Sequence, residues 1–227
     1  MTDQALSQSV RRRLAEARKP PKEWSPPTLA DLAGNVEVLA FDPSLLHTGV
    51  VSLCLVRGEI ALDAIMVHFN GTINLSSELA GFKRSWDLAH KLREHLGKHV
   101  PVMMSPHYVA IETPAVSGMR TESSLLAGCQ VWSVFSYLGD RRRLIQANHV
   151  SAVLCGNPGH DKKEIAAAVA RYIPDSTGRH WSEHQRDAAA TGLTLLHDLQ
   201  QEMRRRDGKH PAVPFQGHPS EQERQDG

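Results

Sequence analysis

The sequence predicts an α/β fold in which a mixed five-stranded sheet is flanked by helices. Three observations lead there. Apolar runs rich in β-branched residues, Val36–Phe41, Val50–Val56 and Ile60–Phe69, follow one another with short breaks, the pattern of an antiparallel meander. Two shorter runs, Tyr108–Ile111 and Leu144–Ala147, then alternate with stretches whose apolar residues recur at helical spacing. A meander followed by such alternation combines antiparallel and parallel pairs in one sheet and covers it with helices.

Taken in order, residues 1–34 read as a basic arm and Pro-rich linker, with Arg11-Arg12-Arg13, Lys22, Pro20-Pro21 and Pro26-Pro27. This arm is either a solvated tail or a contact for a nucleic-acid backbone, and Trp24 is its one large aromatic residue. The first strand ends in Asp42, and Pro43-Ser44 break it; Arg57-Gly58-Glu59 turns the second run into the third. From Leu75 to Val100, Leu79, Phe82, Trp86, Leu88, Leu92 and Leu96 predict an amphipathic helix closed by Pro101. The fourth strand ends in Glu112, before Thr113-Pro114. A helix is predicted over Glu122–Leu138, then the fifth strand, then a loop at Asn157–His160. Asp161 caps a helix over Lys162–Tyr172, which Pro174 ends. Ser182 caps the last helix, with Ala188, Ala189, Leu193, Leu195, Leu196 and Leu199 along it. Residues 35–206 thus form one domain, and the Gly-, Pro-, Gln- and His-rich residues 207–227 form a disordered tail.

Composition narrows the class of function. A chain of 227 residues with 41% hydrophobic content suits one soluble domain. Net charge is +1, so nucleic acid must be met by a local patch, not by a global field. Cys54, Cys129 and Cys155 are odd in number and far apart, without metal-binding spacing, as expected for reduced thiols in the cytoplasm. No apolar run is long enough to span a membrane, and no secretory signal pattern opens the chain.

The chemistry lies in carboxylates. Sites in open α/β sheets gather beyond the carboxyl ends of strands, where both Asp42 and Glu112 stand. His184 and Asp187 are three residues apart, on one face near the start of the last helix; Glu183 points to another side and is the poorer candidate. Each has a plainer reading: Asp-Pro is a common turn, Glu112 can be a strand-end charge, and His184 a surface histidine. Together at one sheet end, three carboxylates repel one another unless a cation relieves them. Oxygen ligands suit Mg²⁺ or Mn²⁺, and a pair of such ions would serve phosphodiester hydrolysis.

These residues resemble a known family. The segments Leu39-Ala40-Phe41-Asp42-Pro43-Ser44 with Thr48-Gly49, Ala110-Ile111-Glu112, Ser123–Gly128, Asp161-Lys162-Lys163 and His184-Gln185-Arg186-Asp187-Ala188-Ala189 are similar to those of RuvC-like Holliday-junction resolvases, in the RNase H-like (retroviral integrase) superfamily. The resemblance spans roughly Val36–Leu199. It implies an RNase H-like sheet and a metal site of Asp42, Glu112, His184 and Asp187, holding two Mg²⁺ ions that Mn²⁺ can replace. It makes Lys162 a catalytic or backbone-binding lysine, four-way-junction DNA the substrate, and a homodimer the form that makes paired symmetric nicks. Trp132 and Phe135 are candidate interface residues, with a place in the core as the alternative. Two features depart from the family: no aromatic residue follows Glu112 in Thr113–Val116, and no second lysine stands near Val150-Ser151. A broader branched-DNA or RNase H-like nuclease, or a catalytically inactive DNA-binding accessory protein, are the alternatives.

Overall fold

The computed structural model describes residues 36–56, 64–77, 81–99, 106–113, 120–159 and 161–206. The basic arm, the tail and the Pro114–Met119 segment lie outside the described residues. Five strands, β1 Val36–Asp42, β2 His47–Val56, β3 Ala64–Asn74, β4 Tyr108–Thr113 and β5 Arg142–Gln146, form one sheet in the order β3-β2-β1-β4-β5. β1, β2 and β3 pair antiparallel, whereas β4 and β5 join β1 in parallel. This is the mixed sheet expected from a meander followed by alternating elements.

Helices cover both faces. α1 (Gly81–His99) and α2 (Arg120–Val134) lie on one; α3 (Ala147–Cys155), α4 (Lys162–Tyr172) and α5 (Glu183–Arg206) lie on the other. The central strand β1 therefore has no polar side. Val38 and Ala40 enter the core under α5, and Leu39 and Phe41 enter the core under α1 and α2. α5 is buried from Ala188 to His197, as a helix apolar nearly all round must be. Its small residues let it approach closely: a Cβ on Gly192 would stand 2.8 Å from Leu53 Cδ1 and 3.0 Å from Ala40 Cβ.

Several boundaries differ from expectation. Residues 75–77 are not helical; Leu75 is buried, and its N–H donates to Leu46 O at 3.0 Å, extending the β2–β3 pairing. β3 runs past Phe69 to Asn74, because β2 offers pairing partners as far as His47. α2 ends at Val134, and a 3₁₀ turn (Ser136–Arg141) with Gly139 at φ 58° leads directly into β5. α3 fills the stretch between β5 and the expected loop, for which no element was predicted, takes in Ala147 from the end of the expected strand, and ends on Gly156 in the left-handed conformation (φ 81°).

Some side chains also depart. The buried face of α1 runs through Ser85, Leu88 and Leu92, so Trp86 lies off it and is 69% exposed. Phe135 is a core residue, its ring 5.5 Å from that of Phe41. Trp132 packs partly against the same core and is covered by the Arg142 guanidinium at 4.0 Å. All three cysteines are free, with Cys129 on the surface.

Candidate active site

Register places the first two acids. Phe41 on β1 pairs with Ile111 on β4 in parallel, so Asp42 and Glu112 leave the sheet side by side at the same end. α5 is anchored over that end by three devices. Ser182 and Gln185 form a reciprocal cap: the Gln185 N–H donates to Ser182 Oγ (3.2 Å) and the Ser182 N–H to Gln185 Oε1 (2.6 Å). Ser182 Oγ is also 3.0 Å from Thr72 Oγ1 on β3. Arg186 Nε donates to Ser176 O at 2.8 Å. Gly49 on β2 makes the seat possible, because a Cβ there would lie 2.0 Å from His184 O.

This placement turns His184 and Asp187 towards the strand ends. His184 Nδ1 is 2.7 Å from Asp42 Oδ2. Lys162, opening α4, donates to Asp187 Oδ2 at 3.0 Å and also to Glu183. The Thr191 hydroxyl lies 3.0 Å from Asp187 O and 3.3 Å from Glu112 Oε2, so its single proton is shared between a backbone and a side-chain acceptor. All five sequence-predicted residues thus meet at one sheet end. Thr191 and the hold of Glu183 on Lys162 were not anticipated. Thr191 sits four residues after Asp187 on the same helix face, which is the sequence signal for it.

The charges are in tension. Burial, and then the charges of Asp42 and Asp187, push the Glu112 carboxyl well above its ordinary value. Burial and Asp42 likewise raise Asp187, outweighing Lys162. Burial works against the charge of Lys162, but the hydrogen bond it donates to Glu183 and the charge of Asp187 outweigh it and raise its pKa; the same bond lowers that of Glu183. The hydrogen bond to Asp42 raises His184 against the effect of burial.

A cleft of about 210 Å³ opens beside these groups; Glu112, Asp187 and Lys162 line it together with Asn148 and Ser151 of α3. Three carboxylates and an imidazole are a donor set suited to a hard divalent cation. Mutual repulsion at Glu112 and Asp187 is the stress such a cation would relieve. In the described residues no three of these groups enclose a single point; His184 and Lys162 are instead the immediate partners of Asp42 and Asp187.

A five-stranded mixed sheet with this strand order, helices on both faces and acids at the ends of β1 and β4 is an RNase H-like fold. Among solved structures the chain is similar to RuvC of Thermus thermophilus, with a TM-score of 0.58 and 19% identity over 74% of this chain and 97% of that one. A second structure, T. thermophilus RuvC in complex with Holliday junction substrate, gives a TM-score of 0.59 at 19% identity, covering 74% of this chain and 96% of that one. The fold is therefore RuvC-like. No protein-family model and no curated protein sequence matches the chain. Among the described residues, no helix is long and apolar enough to cross a membrane.

Proposed function

We propose that the chain is a metal-dependent endodeoxyribonuclease that resolves four-way DNA junctions by hydrolysing phosphodiesters. The observation that carries this reading is the convergence of Asp42, Glu112, His184 and Asp187 at one sheet end, with Glu112 raised by burial and then by its acidic neighbours. The RuvC-like fold supports it, since one of the similar structures holds RuvC with junction DNA.

Asp42, Glu112, Asp187 and His184 would hold two Mg²⁺ ions, with Mn²⁺ as a substitute. Such ions, when bound, lower the pKa of water and neutralise charge on the phosphate. The chain's own groups have distinct tasks. Asp42 fixes the His184 ring through Nδ1, leaving Nε2 for a water or a ligand bond. Lys162 brings a positive charge to the edge of the cleft, where it would offset charge on the scissile phosphate. Thr191 holds Glu112 in place. In the reaction, a water oxygen bonds to phosphorus while one P–O ester bond breaks, and the leaving oxygen takes up a proton. Paired symmetric nicks require two such sites, hence a homodimer.

The test is cleavage of a labelled four-way junction with and without Mg²⁺, against duplex, flap and RNA–DNA hybrid controls. Metal-dependent paired nicks confined to the junction are expected. Equal cutting of flaps or hybrids would discard junction selectivity. Tight binding without cleavage in Mg²⁺ or Mn²⁺ would indicate an accessory protein.

A further inference from the structure

We infer that His47, held by Asn74, is a positioning residue for His184, a role that deepens the nuclease reading and rests on it. His47 opens β2 and stands opposite Asn74 in the β2–β3 register. Its Nδ1 is 2.8 Å from Asn74 Oδ1, a hydrogen bond between the ring and the side-chain amide. The backbone around the pair is fixed. Leu75 N–H donates to Leu46 O at 3.0 Å, and Lys91 Nζ donates to Asn74 O at 3.1 Å.

One residue, Thr48, separates His47 from Gly49, so both face the same side of the strand. That is the side on which the backbone of His184 rests against Gly49. The His47 and His184 ring centroids are 5.7 Å apart with planes 32° from parallel, within the range of an aromatic contact. His184 is thus bounded twice: Asp42 holds its Nδ1 edge, and the His47 ring lies against its ring. An exposed His–Asn hydrogen bond adds little to stability. Its consequence here is geometric: Asn74 fixes His47, and His47 confines the imidazole that stands over the carboxylates.

The experiment combines histidine-ring NMR of the full-length chain with steady-state kinetics on the four-way junction. The His184 signal is assigned by its loss in His184→Gln. In His47→Ala that signal should shift or broaden, and turnover should fall about tenfold, the lower end of what outer-shell changes produce, at unchanged KM. His47→Phe, which keeps a ring against His184, should restore most of both, and Asn74→Ala should weaken both. A His184 signal unchanged in His47→Ala would overturn the proposal. So would a raised KM with turnover intact, which would make His47 a substrate contact. If the wild-type chain cut no branched DNA, the nuclease reading would fall, and the ring signals would still decide whether His47 braces His184.

Discussion

His184 Nδ1 lies 2.7 Å from Asp42 Oδ2, joining the start of the last helix to the end of the first strand across 142 residues of sequence. The bond assembles the candidate site, because Asp42 comes from the sheet and His184 from a helix seated on it.

Asp42→Asn should reduce metal-dependent junction cleavage about a thousandfold, on the order of losing a principal catalytic group. Junction affinity without metal should be kept, since cationic contacts to DNA remain. Cleavage assays and gel-shift binding on the same preparation check both halves. Full activity in the variant would remove Asp42 from the site.

Glu112 carries a stability prediction of the opposite sign. Burial and its acidic neighbours raise its pKa, so the folded chain holds a proton more tightly there than the unfolded chain. Stability is therefore lost as pH rises from the unfolded value, about 4.3, through the raised one. At neutral pH, Glu112→Gln should raise the melting temperature of the metal-free chain by a few degrees, as 1 kcal/mol moves a chain of this size by about 2–4 °C. Mg²⁺ or Mn²⁺ should raise the wild-type melting temperature more than that of the variant. Thermal unfolding at pH 7 with and without the cation measures this, and a less stable, equally cation-responsive variant contradicts it.

Gly49→Ala tests the seat of α5. The added methyl would meet backbone atoms of His184, which cannot rotate away. A destabilisation of about 1–3 kcal/mol is expected, together with loss of cleavage as His184 is lifted from Asp42. Denaturant unfolding of the variant gives the first figure and the junction assay the second.

Away from the site, His149 and Asp198 tie α3 to α5. His149 Nε2 is 2.9 Å from Asp198 Oδ2, and this hydrogen bond raises the His149 pKa against the effect of burial. Burial alone would raise Asp198, but its bonds to His149 and His197 hold it below the usual carboxylate value. The His149 contribution is complete below its unfolded value, about 6.5, and fades as pH rises through the folded one. The Asp198 contribution is present above about 3.9 and fades as pH falls through its folded value. The difference in unfolding free energy between wild type and His149→Ala should be largest near pH 5–6, at about 0.5–1 kcal/mol for so exposed a pair. It should shrink above pH 7. A difference independent of pH would show that His149 acts through packing alone.

The acids were readable in the sequence because each stands at a boundary that composition marks. Asp42 and Glu112 follow apolar runs and precede Pro43 and Thr113-Pro114, and His184 and Asp187 follow the cap at Ser182. α3 was not readable. It begins directly at the end of β5, its cap residue Gln146 makes no side-chain bond, and it spans 9 residues. The true end of β3 was hidden because Gly71 interrupts an apolar pattern that pairing with β2 carries through. Trp86 misled for a different reason: its spacing fits a helix, but the stripe facing the sheet passes beside it. The His47–Asn74 bond depends on strand register, which no local pattern specifies.

The seat of α5 on β2 has a consequence for synthesis. Asp42 and Glu112 leave the ribosome long before His184 and Asp187, and at about 5–20 residues per second the growing chain spends seconds with the first pair and without the second. A nascent chain ending before α5 lacks both the helix that covers β1 and the groups that complete the cleft. On the proposed reading, the partly made enzyme is harmless to nucleic acid near the ribosome. On the same reading, cleavage would begin only when the final helix docks.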